Sequence, residues 1–458
     1  MENLIIQISK IMTMILFAVY TYECFSVFKR KDSMIQERIF KRQIFFMYLI
    51  HLNSFAVIFL VTKEIPYLVF YCIQVIAISI ILFVYRHFYK KASQLVVNNM
   101  CMLLIIGFIM LTRLSFEKAV RQFEIFIIAV IVTTLIPMII HRLTFLKKLT
   151  WFYAAAGIGS LALVAILGAV SYGAKLSISF GGFSIQPSEF VKISFVFFLA
   201  CMLHEKTGFS QVLLTTIIAA IHVLILVLSR DLGGALILFV VYLVMVYVAT
   251  RKLFYFGAGL LGGSVASVGA YYLFNHVRVR VAAWKDPLAV IDGAGFQISQ
   301  SLFAIGTGGW FGLGLFQGMP DTIPVVEQDF MFSAISEEMG GIFAICLILV
   351  CACCFLMFLN IAMQIRNQFY KLLALGLGIT YGFQVFLTIG GVIKFIPSTG
   401  VTLPLVSYGG SSLLSTLMIF SIIQGLYILR EEEEDKNENQ NKRKNRKLSK
   451  FKEEEELY

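Results

Sequence analysis

Long apolar blocks, each about twenty residues, run through almost the whole chain and are parted by short polar connections. A helix of that length crosses the roughly 30 Å hydrocarbon layer of a bilayer. Window length predicts about thirteen spans. They fall near 4–28, 43–62, 67–86, 97–113, 122–140, 151–172, 187–203, 210–229, 231–250, 253–274, 330–358, 370–393 and 403–429. The fold class expected is an all-α polytopic integral membrane protein. Composition agrees, because the 458 residues are 59% hydrophobic and 14% charged. A soluble domain could not cover so much apolar surface.

Charge sets the orientation. The net charge of +11 would suit a nucleic-acid partner, but the cations lie between apolar blocks and in the tail, where cytoplasmic loops carry them. Nucleic acid is therefore excluded. The basic connections Phe28 to Arg42, Arg86 to Lys91, His141 to Lys148, Arg251-Lys252 and Arg366 to Lys371 alternate to one side. That side is the cytoplasm, together with the tail. Met1 and three Gly/Ser/Pro-rich connections, around 173–187, 275–329 and 394–411, are expected outside. The exception is the stretch Arg113 to Arg121, which carries three cations on the outer side. The first block lacks a small-residue cleavage site and is followed by Lys29-Arg-Lys, so it reads as a retained helix. After Arg430 the chain alternates acidic and basic runs with almost no apolar residues and is expected to be a disordered cytoplasmic tail over 430–458. The 8 cysteines sit in apolar runs without metal-ligand spacing and read as small packing residues.

Four polar interruptions, all assigned to the outer face, carry the candidate chemistry, because charge in or beside a span is costly to keep. In Gln186-Pro-Ser-Glu-Phe-Val-Lys192, Pro187 suits a first helical turn, and Glu189 faces Lys192 one turn on. A helix cap with an ion pair and a substrate contact are equal readings here. In Ser229-Arg-Asp-Leu-Gly-Gly-Ala235, Arg230 and Asp231 sit between two spans, again as a tight turn or as ligand contacts. The connection 275–329 holds Arg278, Arg280 and several glycines and is too rich in aromatics for disorder. Asp329 lies where it re-enters an apolar span, so desolvation could raise its basicity. Glu337 and Glu338 follow inside that span and read as structural. Finally, Lys394 to Ser412 contains Pro397 and Pro404, then Ser407, Gly409, Gly410 and Ser411. Such non-helical backbone at membrane depth lines a cavity or is buried in protein.

These stretches resemble, in order, the signatures of the SEDS family, the FtsW, RodA and SpoVE group. Pro404-Leu-Val-Ser-Tyr-Gly-Gly-Ser-Ser412 is the most specific, then Gln186-Pro-Ser-Glu-Phe-Val-Lys192, Asp231-Leu-Gly and the run from Trp284 through Asp329-Phe to Glu337-Glu-Met-Gly340. The likeness covers about 97–429, giving a ten-helix core over 96–429 and an addition of about three helices over 1–95. The chain departs from the family at Arg230 (usually Pro), Ser177 (usually Trp) and Gln328 (usually Thr).

The resemblance implies a peptidoglycan glycosyltransferase that polymerises lipid II into glycan strands at the outer face of a bacterial plasma membrane. It implies Asp329 as the general base, and a class B penicillin-binding transpeptidase as partner. Asp231, Glu189, Ser407, Gly409, Gly410 and Ser411 are the implied substrate contacts. Lys192, Arg230, Arg278, Arg280 and Lys394 are the cations available to the departing pyrophosphate, while Gln186, Pro187, Glu337, Glu338 and Pro404 shape the frame. No cofactor is required with certainty; a divalent cation such as Mg or Mn is left open. A lipid II flippase and a non-catalytic scaffold for the transpeptidase are the alternatives. Division, elongation and sporulation roles are not separable by residue pattern.

Overall fold

The computed structural model of the chain describes residues 2–30, 32–140, 144–171, 174–180 and 183–455, with backbone alone at 144, 169–171, 174–176, 179, 180, 183 and from 437 to 455. Helices α1 (Glu2–Lys29), α2 (Ser33–Thr62) and α3 (Ile65–Phe88) precede α4 (Gln94–Leu114). Then come α5 (Phe116–Thr134), α6 (Ile136–Ile140) and α7 (Thr150–Leu167). Strands β1 (Ala169–Ser171), β2 (Ala174–Phe180) and β3 (Phe183–Ile185) lead to α8 (Pro187–Leu203), α9 (Phe209–Leu228), α10 (Leu232–Thr250) and α11 (Leu253–Leu273). The chain continues with α12 (Asn275–Lys285), α13 (Phe296–Gly308), α14 (Met331–Met339), α15 (Gly341–Gln364), α16 (Gln368–Val392) and α17 (Gly410–Glu455).

Twelve helices among the described residues are long and apolar enough to cross a membrane, α5 and α6 counting as one across the bend at Pro137. The seventeen-residue α8 misses that length but is buried against α7, α10 and α16, and with it the number agrees with the expected spans. Helix α4 sits in the middle, with every residue from Leu95 to Thr112 buried. It is covered by α2 and α3 on one side and by α5, α15 and α17 on the others.

Lipid tails are as apolar as the side chains, so packing and interhelical hydrogen bonds hold this bundle. The Tyr20 hydroxyl donates to Asn99 Oδ1 (2.9 Å), and Asn98 Nδ2 donates to Gln43 Oε1 (2.9 Å). Such bonds contribute about 1 kcal/mol each in a membrane. Phe17 and Phe343 pack with ring centroids 4.4 Å apart, which joins α1 to α15. Seven of the cysteines are buried, in line with packing roles; Cys72 is exposed instead.

The all-α fold expected holds, with a small antiparallel meander in the order β1-β2-β3 added after α7. Four expectations are corrected. The stretch 275–329 folds into α12, α13 and a 3-10 turn at Pro320–Thr322. The span expected over 330–358 is two helices broken at Gly340 (φ +93°), where a Cβ would lie 2.4 Å from Gly312 N. There the carbonyls of Gly309 and Trp310 take up the first amides of α15. The span expected to start at 403 starts at Gly410, because Pro404 and the left-handed Leu405 (φ +66°) interrupt it. The tail expected to be disordered continues α17 as a helix to Glu455, since Glu, Lys, Arg and Gln are strong helix formers.

Candidate active site

The non-helical stretch between α16 and α17 folds back at one end of the bundle, and its backbone is tied at almost every step. Thr388 Oγ1 donates to the carbonyls of Val401 (3.0 Å) and Thr402 (3.2 Å), and Gln384 Nε2 to that of Thr402 (3.1 Å). From α5, Gln122 donates to Ser407 O (3.2 Å) and accepts from Gly409 N (3.2 Å). Gly107 of α4 lets this stretch come close: a Cβ there would stand 2.8 Å from the carbonyls of Leu405 and Val406.

The stretch walls one side of a cavity of about 700 Å³. Asp329 lies in its wall just ahead of α14, half-buried. Burial raises its pKa from 3.8 to about 6, against the lowering effect of the Arg280 guanidinium. Both groups converge on Gly400 (φ +72°), where a Cβ would lie 3.5 Å from Asp329 Oδ2 and 3.9 Å from Arg280 Nη2. Arg280 Nη1 donates to Ser398 O (3.4 Å). A carboxylate tuned to that value is mostly ionised at neutral pH yet basic enough to take a proton.

Positive potential surrounds it. Arg121 of α5, Arg230 ahead of α10 and Arg280 of α12 all line the cavity. His276, one turn before Arg280, is held below the usual imidazole range by burial and by Arg230 and Arg280. Five helices, α8, α10, α13, α14 and α17, begin at or beside the wall, and their N-terminal dipole ends add to the field. Backbone strain collects here too. Arg230 (φ +66°), Val325 (φ +58°), Lys394 (φ +61°) and Leu405 (φ +66°) all stand in the left-handed region at or near the cavity. Each costs about 1–2 kcal/mol, and the β-branched Val325 is the least suited to it.

Of the residues singled out in the sequence, Asp329, Arg230, Asp231, Arg280, Gln186, Gly409, Gly410 and Ser411 line the cavity. Asp231 also caps α10 by accepting from Gly234 N (2.8 Å), and Ser411 Oγ accepts from Gln186 N (3.0 Å). Others do not reach the wall. Glu189 and Lys192 are buried and paired at 2.8 Å, with Ser415 Oγ donating to Glu189 and Lys192 donating to Gln384. They join α8 to α16 and α17 as an internal brace. Arg278 is exposed two residues before Arg280, and Lys394 instead offers its carbonyl to Trp284 Nε1 (3.1 Å). Ser407 is buried, its hydroxyl accepting from Leu403 N. Pro187 is the first residue of α8, and Pro404 is buried behind the folded-back stretch.

Glu337 and Glu338 are buried and accept from Met319 N (2.9 Å) and Phe316 N (3.1 Å). Arg113 pairs with Glu338 at 2.9 Å, Lys118 pairs with Glu327, and Arg121 faces the cavity. The three cations that disturbed the charge alternation therefore meet the acids of 321–338 and the cavity at the same end of the bundle. Arg121 and Gln122 were missed as site residues because they read as the polar start of an apolar helix.

Two carboxylates, Asp231 and Asp329, line the cavity, and Asp231 is engaged as a cap. Among the described residues no group of three or more His, Cys, Asp or Glu side chains could hold a metal ion.

The profile of the cell cycle protein family FtsW/RodA/SpoVE matches residues 93–432. A Mycobacterium bovis protein named peptidoglycan glycosyltransferase RodA is 39% identical over 297 residues, covering 61% of this chain and 63% of the relative. The chain thus spans less than two thirds of the RodA relative's length. Stage V sporulation protein E of Bacillus subtilis is 37% identical over 273 residues, covering 57% of this chain and 73% of the relative. Among solved structures, a chain from a study of the coordination of polymerization and crosslinking by a peptidoglycan synthase complex superposes with a TM-score of 0.65 at 25% identity. That match covers 74% of this chain and 98% of the other. The rod shape determining protein RodA of Thermus thermophilus shares the fold, with a TM-score of 0.54 at 24% identity over 73% of this chain and 96% of the other.

Proposed function

The chain belongs to the FtsW/RodA/SpoVE family of cell cycle proteins, and from that premise we propose that it is a peptidoglycan glycosyltransferase which polymerises lipid II. The observation that carries the reading is one carboxylate with a raised pKa in a cavity whose wall also holds Arg121, Arg230, Arg280 and several helix N-termini. Asp329 takes the proton of an acceptor sugar hydroxyl as its oxygen attacks the anomeric carbon of the donor. The bond from that carbon to the lipid pyrophosphate breaks, and its electron pair leaves with the diphosphate. Arg121, Arg230 and Arg280 stabilise the negative charge that develops there. One basic carboxylate, with Asp231 engaged as the cap of α10, suits a single inverting displacement.

The cavity opens at the end of the bundle that is outer by the charge alternation, which puts the reaction outside the cell and the tail within. The transpeptidase partner enters by analogy with the polymerising and crosslinking complex. A flippase requires polar groups reaching both ends of the bundle, whereas the cavity wall draws on one end alone. The discriminating experiment uses proteoliposomes with fluorescent lipid II in both leaflets. A glycosyltransferase yields gel-resolved glycan polymer. Movement of monomer between leaflets without polymer would favour transport and overturn the proposal.

A further inference from the structure

Helices α1–α3 lie outside the residues matched by the family profile, yet α1 touches the frame of the cavity. Lys10 is the sole charged residue between Glu2 and Glu23, in a largely apolar helix. Its amine donates to Gly312 O (2.8 Å), and Gln7 Nε2 donates to Leu313 O (3.2 Å). Ile6, buried, closes on the same spot: a Cβ at Gly314 (φ +105°) would lie 2.7 Å from its Cγ2.

The held backbone is itself paired with α14. Leu313 N donates to Glu337 O (2.9 Å) and Gly314 N to Glu338 O (2.8 Å). Gly312 lies flat against the break after α14, where a Cβ would meet Glu338 O at 2.4 Å. Phe316 N and Met319 N then donate to the Glu338 and Glu337 carboxylates, so residues 312–319 clasp the C-terminal end of α14. That helix has nine residues, about 13 Å of rise, and its other end begins two residues after Asp329. A tilt of so short a helix moves the carboxylate. Helix α1 is meanwhile fixed to the core by Phe17 on Phe343 and Tyr20 on Asn99, so it can serve as the stationary part.

We propose that Lys10 and Gln7 are positioning residues for glycosyl transfer, acting through the 312–319 backbone and α14 to hold Asp329 in place. The proposal rests on the glycosyltransferase reading, and its test separates the two. The native chain, Lys10→Met, Lys10→Arg and the double variant Gln7→Leu/Lys10→Met are each purified whole in one detergent. Polymerisation rate is measured against lipid II concentration, and backbone amide exchange is followed from 312 to 333.

Losing one charge-assisted bond should lower kcat about tenfold at nearly constant KM, and speed exchange about tenfold at 312–319 and 329–333 alone. The double variant should go further in both. Lys10→Arg should restore both, because a guanidinium also donates to a carbonyl. A role confined to folding of α1 would instead reduce yield and thermal stability without a local exchange change or rescue, and that pattern would overturn the proposal. So would faster local exchange with kcat untouched, or no change in either. If the native chain makes no polymer, the functional reading fails, and the exchange comparison alone still decides whether Lys10 holds α14.

Discussion

Replacing Asp329 by Asn should make the protein more stable at neutral pH while removing its activity. Burial lifts the Asp329 pKa from 3.8 to about 6 in the folded chain. Between those values the native state holds the proton more often than the unfolded state does. The associated stability is fully present below the unfolded value and is lost as pH rises through about 6. About 2 pKa units at 1.36 kcal/mol each give roughly 3 kcal/mol, and partial solvent access reduces this to about 2 kcal/mol. Asparagine does not titrate, so the stability of Asp329→Asn relative to the native chain should grow from about pH 4 to about pH 7 by that amount. Thermal unfolding of both proteins in one detergent, across that range, measures it. Loss of the general base should meanwhile lower polymerisation at neutral pH by about 100- to 10,000-fold. Parallel stability curves for the two proteins would refute the claim that this carboxylate is held desolvated, and with it the reason for its basicity.

Further outcomes follow from the same geometry. Arg280→Met removes the charge that lowers the Asp329 pKa, so the acid limb of the kcat/KM profile should move upward from about pH 6, and an unmoved limb would contradict the pairing. Gly400→Ala should cost about 1–2 kcal/mol for its left-handed backbone and slow turnover by crowding Asp329 and Arg280; unaltered kinetics would place the reaction elsewhere. Arg113→Ala leaves Glu338 buried without its cation and should destabilise the fold by about 3 kcal/mol or more, read as a lowered unfolding temperature. Glu189→Gln should lower stability with KM for lipid II little changed, whereas a large KM effect at native stability would return Glu189 to the substrate site.

The legible parts of this protein are those where polar residues interrupt an apolar chain. Asp329, Arg230, Asp231 and Gly409-Gly410 each stand at such an interruption, and the fold brings all of them to one cavity. Spacing alone did not separate the readings at Glu189 and Lys192, because a three-residue offset fits an exposed ion pair, a ligand contact and a buried brace equally. The break at Gly340 depends on the backbone of 310–312 passing beside it, a contact that no local pattern encodes. The small sheet did leave a signal that length counting overlooked: Leu176-Ser-Ile-Ser-Phe180 alternates with period two. Arg121 and Gln122 stayed hidden because they read as the polar start of an apolar helix. Arg113 and Lys118, which broke the charge alternation, pair with Glu338 and Glu327.

One comparison bears on the central claim most directly. Purified native chain and Asp329→Ala are given labelled lipid II under identical conditions, and the products are separated by length. The native chain should yield glycan strands, and the variant, folded in the same detergent, should leave the substrate as monomer. Strands of native length and yield from Asp329→Ala would show that the proton goes elsewhere and that this cavity is not the site of polymerisation.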